Sequence, residues 1–362
     1  MGLWALLGVA CTPEASKKST SERLPQIAPA TNYGKGVSAL AAGEIDRTLI
    51  VAGGANFPDT PAAEGGKKWF YDQIYILAEG SKEWQEAGVL PKASAYGAVY
   101  ALDNKIIIAG GSCADGSISD VVELALNESD CCDECCDGLS GTSVVVTPLQ
   151  QLPVPVEQAA AAKNGEKLYL AGGLANGAPS LGIYSCDIAG DGEWRMIAEL
   201  PEPMVQPIAA ATERNLYVWG GFDPVKKEAA NYGFRYDIQE CTWSRIEGLP
   251  DGGTAVGSTA VQDANGKMWV VGGVNRDIFN HALNLAPDKI AEYQSQPVDY
   301  YRFRTQIMTF DPATETWATA ADLPAAARAG AAVVLSPSRG MIIINGEEKP
   351  GIRSAEATIL NF

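Results

Sequence analysis

Six times the chain runs an apolar strand into a tight turn of small residues: Gly53-Gly54, Gly110-Gly111, Gly172-Gly173, Gly220-Gly221, Gly272-Gly273 and Asn345-Gly346. A Leu-Pro pair precedes each turn, ending at Pro25, Pro91, Pro153, Pro201, Pro250 and Pro324, and three of the Pro-to-Gly gaps are identical at 19 residues. Seven residues before four of those prolines stands a tryptophan: Trp84, Trp194, Trp243 and Trp317. A copy of this kind cannot bury its apolar faces alone, so repetition at about 50 residues implies units that bury them against one another. Short runs such as KIIIAGG and KLYLAGG, bounded by Gly, Pro, Asn and Asp, read as strands. The class is all-β.

A repeat that carries Gly-Gly, an aromatic-Asp turn and Trp resembles the kelch repeat, in which each copy is one four-stranded blade of a β-propeller. The expectation is a six-bladed ring over residues 19–362, preceded by a separate segment over 1–18. Strands run a to d outward from the axis, the double glycine ends strand b, and the Trp-to-Leu-Pro segment forms strand d. The last copy ends at Phe362 after its third strand, while Leu24-Pro25 is an orphan at the other end, with Lys18 at the Trp position. The N-terminus is therefore expected to supply the outer strand of the last blade. Blade two has Val146 where Trp stands elsewhere, so the aromatic is a packing device. Helical potential appears once, around Ala282 to Gln294, in an insertion that lengthens the fifth copy and is expected to cover one face.

The net charge of -17 and scattered Lys and Arg argue against nucleic acid, whose phosphates need a clustered basic surface. An acidic surface also mildly repels anions, an effect screened beyond roughly 8 Å at physiological salt, so any anion site must be built locally. The opening MGLWALLGVAC resembles the end of a bacterial lipoprotein signal, whose cysteine, here Cys11, is lipidated after cleavage. The alternative is a truncated ordinary signal peptide. Both predict export, to the periplasm or, as a tethered lipoprotein, to the outer membrane. Cys131, Cys132, Cys135 and Cys136 lie in one loop of blade two. A local disulfide staple and a zinc knuckle are the two readings, and the staple is favoured because a tetrahedral site normally needs a second, distant arm. Cys113, Cys186 and Cys241 fall on or next to strands and turns, where packing is the expected role.

Antiparallel order places the b-to-c turns and the d-to-a loops on one face, around the mouth of the axial channel. The residues directly after the six turns are Ala55, Ser112, Leu174, Phe222, Val274 and Glu347. Five are small or apolar and one is a carboxylate. A charge facing a channel is costly unless paired or used, and Arg353 follows Glu347 by six residues, past Pro350 and Gly351, which fold the loop back. The other loops of that face supply Asn56, Tyr96, Glu157, Gln158, Gln206, Asn275 and Arg328. Amides, a phenol and a few charges in a ring suit a polyhydroxylated ligand.

Two stretches, GGVNRDIFN (Gly272 to Asn280) and INGEEKPGIR (Ile344 to Arg353), resemble segments of the bacterial N-acetylneuraminate epimerase, or sialic acid mutarotase, family; the likeness extends through AGGANF and PKASAYG. In that family the Asn-Gly-Glu blade lies mid-chain, so this chain resembles a cyclically permuted branch. The resemblance implies Glu347 as general base and Arg353 as its neighbouring arginine, with Asn275, Phe279 and Asn280 in the pocket. Mutarotation needs a base for the anomeric hydroxyl and an acid for the ring oxygen. It requires no cofactor and no metal. Arg353 then either holds a sugar carboxylate by a bidentate pair or keeps Glu347 ionised.

Copper-radical oxidation needs two imidazoles, and His281 is the one histidine. The nearest segment to a sialidase Asp-box, SCDIAGDGEW, has the wrong Trp spacing, and no GxSxG nucleophile elbow occurs. The rival from another class is a non-catalytic propeller that binds glycan or a protein partner, since fold alone does not settle function.

Overall fold

In a strand sandwiched between two other sheets, both faces are covered and the sequence reads as a continuous apolar run. The strands that lead into the double-glycine turns have this character. Thr48–Ala52 and Ile106–Ala109 are buried at every residue, and Lys167–Ala171 and Gly340–Ile344 at every residue but the first. The computed structural model, which describes residues 20–128 and 141–362, assembles such strands into six antiparallel sheets built on the same four-strand order. The first sheet is Ala41–Ile45, Thr48–Ala52, Gln73–Ala78 and Gln85–Val89, and the next four repeat its order along the chain. The sixth is completed from the other end of the chain. Thr20–Arg23 pairs with Ala357–Asn361, with Thr20 opposite Asn361 and Arg23 opposite Thr358. Leu24 N–H donates to Ala357 at 2.8 Å, and Trp84 Nε1 donates to the Pro25 carbonyl at 2.9 Å.

Side chains alternate across each strand, and here both alternating sets are used. Leu49 and Val51 pack with Ile342 and Ile344 of the sixth sheet. Ile50 and Ile74 pack with Ile106 and Ile108 of the second. Equivalent apolar clusters join second to third, third to fourth, fourth to fifth and fifth to sixth sheets. The six clusters therefore follow one another in a cycle, and the architecture is all-β and propeller-like.

A second cycle runs through the backbone at the mouth of this arrangement. Ala39, Tyr96, Gln158, Gln206, Gly257 and Gly330, one at the entry of each sheet, all have φ between 56° and 71°. Ala39 N–H donates to Gly330, Tyr96 to Ala39, Gln158 to Tyr96, Gln206 to Gln158, and Gly330 to Gly257, at 2.7 to 3.0 Å. Gly257 N–H closes the circuit through Gln206 Oε1 at 3.2 Å. The left-handed conformation costs a residue with a Cβ about 1–2 kcal/mol, so Tyr96, Gln158 and Gln206 are held there by the ring despite their side chains.

The double glycines have a steric cause. A Cβ on Gly110, at φ 65°, would lie 2.3 Å from the Val156 carbonyl oxygen of the next sheet's entry loop. The first residue of the sixth turn is Asn345, at φ 55° and 1% exposed, a conformation that Asn tolerates better than other non-glycine residues.

The fifth-sheet insertion forms three short helices, α1 (Arg276–Leu283), α2 (Ile290–Gln294) and α3 (Val298–Tyr301), a longer helical stretch than the one expected from Ala282 to Gln294. No helix among the described residues is long and apolar enough to cross a membrane. Cys186 is buried between the second and third sheets, and burial raises its thiol to about 11. Cys113 is half-buried. Cys241 departs from the packing expectation: it is exposed in a turn, at φ 53°. Cys11, Lys18 and the cluster Cys131, Cys132, Cys135 and Cys136 lie outside the described residues.

Candidate functional site

The innermost strands surround a cavity of about 490 Å³. Its floor is apolar, made of residues such as Ala42, Ala98, Ala160, Ala209, Ala260 and Ala332. Small side chains leave room on the axis. Beyond the hydroxyls of Ser38, Ser258 and Thr259, polar chemistry gathers at the rim, where Tyr96, Gln158, Gln206 and Glu347 face the cavity. The left-handed backbone positions aim three of these side chains inward. Gln206 Nε2 donates to Gln158 Oε1 at 2.7 Å, and Gln158 Nε2 to Glu157 Oε2 at 3.3 Å. The two amides are thus locked to each other.

Glu347 begins a short ribbon in which Glu347–Lys349 pairs with Ile352–Arg353, and the register sets Glu347 opposite Arg353. Gly351, at φ 81°, lets the chain reverse. The backbone of Glu347 is clamped to Ala329 by two hydrogen bonds of 2.7 and 3.0 Å. Arg353 Nη1 lies 2.7 Å from Glu347 Oε1; the guanidinium side chain is 2% exposed and the carboxylate side chain 26%. The approach brings the charges together without aligning an N–H on the carboxylate, so Arg353 Nε and Nη1 are buried with no hydrogen-bond partner. Burial raises the Glu347 pKa above its ordinary value, and the charges of Arg353 and Lys68 oppose that rise. A carboxylate made more basic in this way is a better proton acceptor near neutrality.

Two segments without counterpart in the other copies complete the arc. The long connection after Asn56 brings Phe57 and Lys68 to the rim: the Phe57 ring lies 5.3 Å from Arg353 Cζ and 6.0 Å from Lys68 Nζ. Lys68 Nζ sits 4.9 Å over the Tyr96 ring and donates to its hydroxyl oxygen at 3.1 Å. The insertion brings Phe279 and Tyr293 to the cavity, with Phe279 edge-to-face on Phe222 at 5.3 Å. Phe57, Lys68 and Tyr293 escape a comparison of aligned turn positions because they have none; the signal for them is the unusual length of these two connections.

Other candidates sit elsewhere. Asn56 is 2% exposed and fully engaged: it donates to the carbonyls of Asn32 and Gly36 at 2.9 and 2.8 Å and accepts from Tyr71 at 2.9 Å. Glu157 accepts from Ser117 at 2.9 Å behind the rim. Asn275 caps α1, accepting from the N–H groups of Asp277 and Ile278, and Asn280 Oδ1 accepts from Ala229 N–H at 2.7 Å. Arg328 pairs with Glu356 at 3.1 Å and Glu348 at 3.5 Å. These five fix loops around the cavity and do not line it. No cluster of metal-ligating side chains occurs among the described residues.

The N-acetylneuraminate epimerase family model matches residues 11–131 and 149–362. An N-acetylneuraminate epimerase of Pasteurella multocida is 31% identical over 218 residues, 56% of each chain, and one of Shigella sonnei is 34% identical over 229 residues, 59% of this chain and 60% of its own. The chain thus spans less than two thirds of the curated relatives it matches. A solved structure described as "Structure of YjhT" superposes with a TM-score of 0.49 at 29% identity, over 57% of this chain and 62% of that one. With nearly its whole length matched by the family model, the chain belongs to the N-acetylneuraminate epimerase family.

Proposed function

We propose that this protein interconverts the α and β anomers of N-acetylneuraminate, or of a closely related acidic keto sugar, by acid–base opening of the ring. The observation that carries the reading is Glu347 at the rim of the axial cavity, with the buried guanidinium of Arg353 2.7 Å behind it. Glu347 takes the proton of the anomeric hydroxyl, the bond from the anomeric carbon to the ring oxygen opens, and reclosure on the other face gives the other anomer. The buried donors left over on Arg353 suit the carboxylate that a sialic acid carries on its anomeric carbon, because a guanidinium holds a carboxylate in a fixed orientation. Arg353 therefore orients the sugar and also keeps its neighbour ionised. Gln158 and Gln206 offer amides to hydroxyl groups, and the alanine floor accepts apolar parts of the ring. The chemistry needs neither cofactor nor metal.

The scaffold of this reading is a six-bladed propeller whose last blade is closed by Thr20–Arg23, supported by the cyclic clusters and the backbone circuit described above. A permuted order of blades accounts for relatives that align over little more than half of each chain. Export, with Cys11 as the point of lipid attachment, belongs to the same reading.

NMR exchange spectroscopy on the two anomers of N-acetylneuraminate tests it. The protein is expected to raise the exchange rate well above the spontaneous one. A rate that stays spontaneous for this and related keto sugars, with binding retained, establishes a glycan-binding propeller instead.

A further inference from the structure

Ring opening needs an acid as well as a base, and the rim carries one group placed for that role. Tyr293, in α2, lines the same cavity as Glu347. Its ring is fixed edge-to-face by Tyr301 at 5.4 Å and 82° and by Tyr300 at 6.3 Å and 75°. The Tyr301 hydroxyl donates to the Tyr293 carbonyl. The Tyr293 hydroxyl itself has no protein partner among the described residues, so its proton is free to point at a ligand.

The segment that carries Tyr293 is anchored at both ends. Toward the fourth sheet, Asn280 accepts from Ala229, Arg276 Nε donates to the Ala229 carbonyl at 2.9 Å, and Asn284 Nδ2 donates to the Lys227 carbonyl at 3.1 Å. On the other side α2 rests on the turn Ala62–Glu64 of the first sheet. Lys349 Nζ, from the Glu347 ribbon, donates to the Gln296 carbonyl at 2.8 Å. The insertion therefore crosses the mouth, and Tyr293 shares the cavity with the carboxylate.

We infer that Tyr293 is the proton donor to the ring oxygen, an assignment that rests on the mutarotase reading of the site. The anomeric hydroxyl and the ring oxygen are bonded to one carbon, so acid and base must converge on a single point. Tyr293 and Glu347 line the same cavity, and burial above all, then the neighbouring phenols and the charge of Glu347, keep Tyr293 protonated. Tyr96, the other phenol of the cavity, lies under Lys68 Nζ and is the competing candidate for the acid.

The step balances within the site. As Glu347 takes the anomeric proton, the bond from the anomeric carbon to the ring oxygen breaks, its electron pair goes to that oxygen, and the Tyr293 proton follows. The open ketone rotates. On closure the hydroxyl attacks the other face of the carbonyl and returns its proton to the Tyr293 phenolate, while Glu347 gives its proton to the carbonyl oxygen. Both groups are restored, and no co-reactant is consumed.

Tyr293→Phe keeps the packed ring and removes the proton. Exchange spectroscopy with N-acetylneuraminate should show kcat reduced about 100-fold, with KM little changed and an unaltered unfolding midpoint. Tyr300→Phe, the same change one ring away, should match wild type. Fluorotyrosine at position 293 preserves the shape but makes the phenol more acidic, and it should move the alkaline limb of the rate profile to lower pH. A Tyr293→Phe rate close to wild type, an unmoved alkaline limb, or a loss that appears in Tyr96→Phe instead overturns the assignment while leaving the mutarotase intact. If the wild-type protein does not accelerate exchange at all, the mutarotase reading falls and takes this assignment with it.

Discussion

Replacing Asn345 by glycine should stabilise the protein. In the five other copies the corresponding position is glycine, with φ between 64° and 70°, whereas Asn345 occupies the same left-handed region with a side chain. It is 1% exposed, and its Oδ1 has no hydrogen-bond partner. Relief of the backbone conformation contributes about 1 kcal/mol, and removal of a buried unsatisfied acceptor about 1–3 kcal/mol. Opposing these are the greater unfolded-state freedom of glycine, about 0.5–1 kcal/mol, and a lost buried methylene, about 0.8 kcal/mol. With the acceptor taken at about 2 kcal/mol, the balance is a gain of about 1 kcal/mol. For a chain of this size that corresponds to roughly 1.4 °C in Tm, so the denaturant midpoint is the more sensitive assay. A variant less stable than wild type would refute the reasoning, because it would mean that the Asn345 amide is satisfied in the native state.

The pH dependence of the reaction follows from the raised pKa of Glu347. The base must be ionised, so kcat/KM should fall as pH drops through a limb lying above about 4.3, the ordinary glutamate value; a limb at or below that value contradicts the burial argument. The stability term has the opposite sense: the native state holds this proton more tightly than the unfolded chain, so Glu347 contributes stability that is lost as pH rises through the raised pKa, and Glu347→Gln should flatten the pH dependence of the unfolding midpoint in that range. Gly110→Ala and Gly165→Ala both place a Cβ at positive φ, but only the former meets an atom within 4 Å, the Val156 carbonyl oxygen at 2.3 Å. Gly165→Ala should therefore lose about 1–2 kcal/mol and Gly110→Ala clearly more in the same urea titration; equal losses would mean that the contact between sheets is soft.

Much of the scaffold is visible in the spacing of Gly-Gly, Trp and Leu-Pro, because these residues answer to constraints that every copy shares. The glycines avoid the next sheet's backbone, and the tryptophans sit in or beside the clusters between sheets, as Trp84 and Trp194 do. The orphan Leu24-Pro25 likewise anticipates the pairing of Thr20–Arg23 with the C-terminal strand. Glu347 stands out by the same logic, as the one acidic residue in a column of small and apolar ones, and its partner Arg353 lies in reach because a two-stranded ribbon fixes their register. Asn56, Asn275, Asn280 and Arg328 lie on the correct face but serve its loops. Whether an amide points into a cavity or caps a helix depends on hydrogen bonds to distant backbone, as with Asn56 and the Asn32 and Gly36 carbonyls, and repeat spacing carries no trace of these. Lys68 and Tyr293 come from segments outside the repeat, so only the folded chain brings them to the rim.

The central claim is that a carboxylate at position 347 accepts the anomeric proton. Glu347→Gln keeps the shape of the side chain and removes its basicity, so the exchange rate of N-acetylneuraminate anomers at saturating sugar should fall by about 10²–10⁴-fold while the sugar still binds. A variant that exchanges the anomers as fast as wild type would contradict the account.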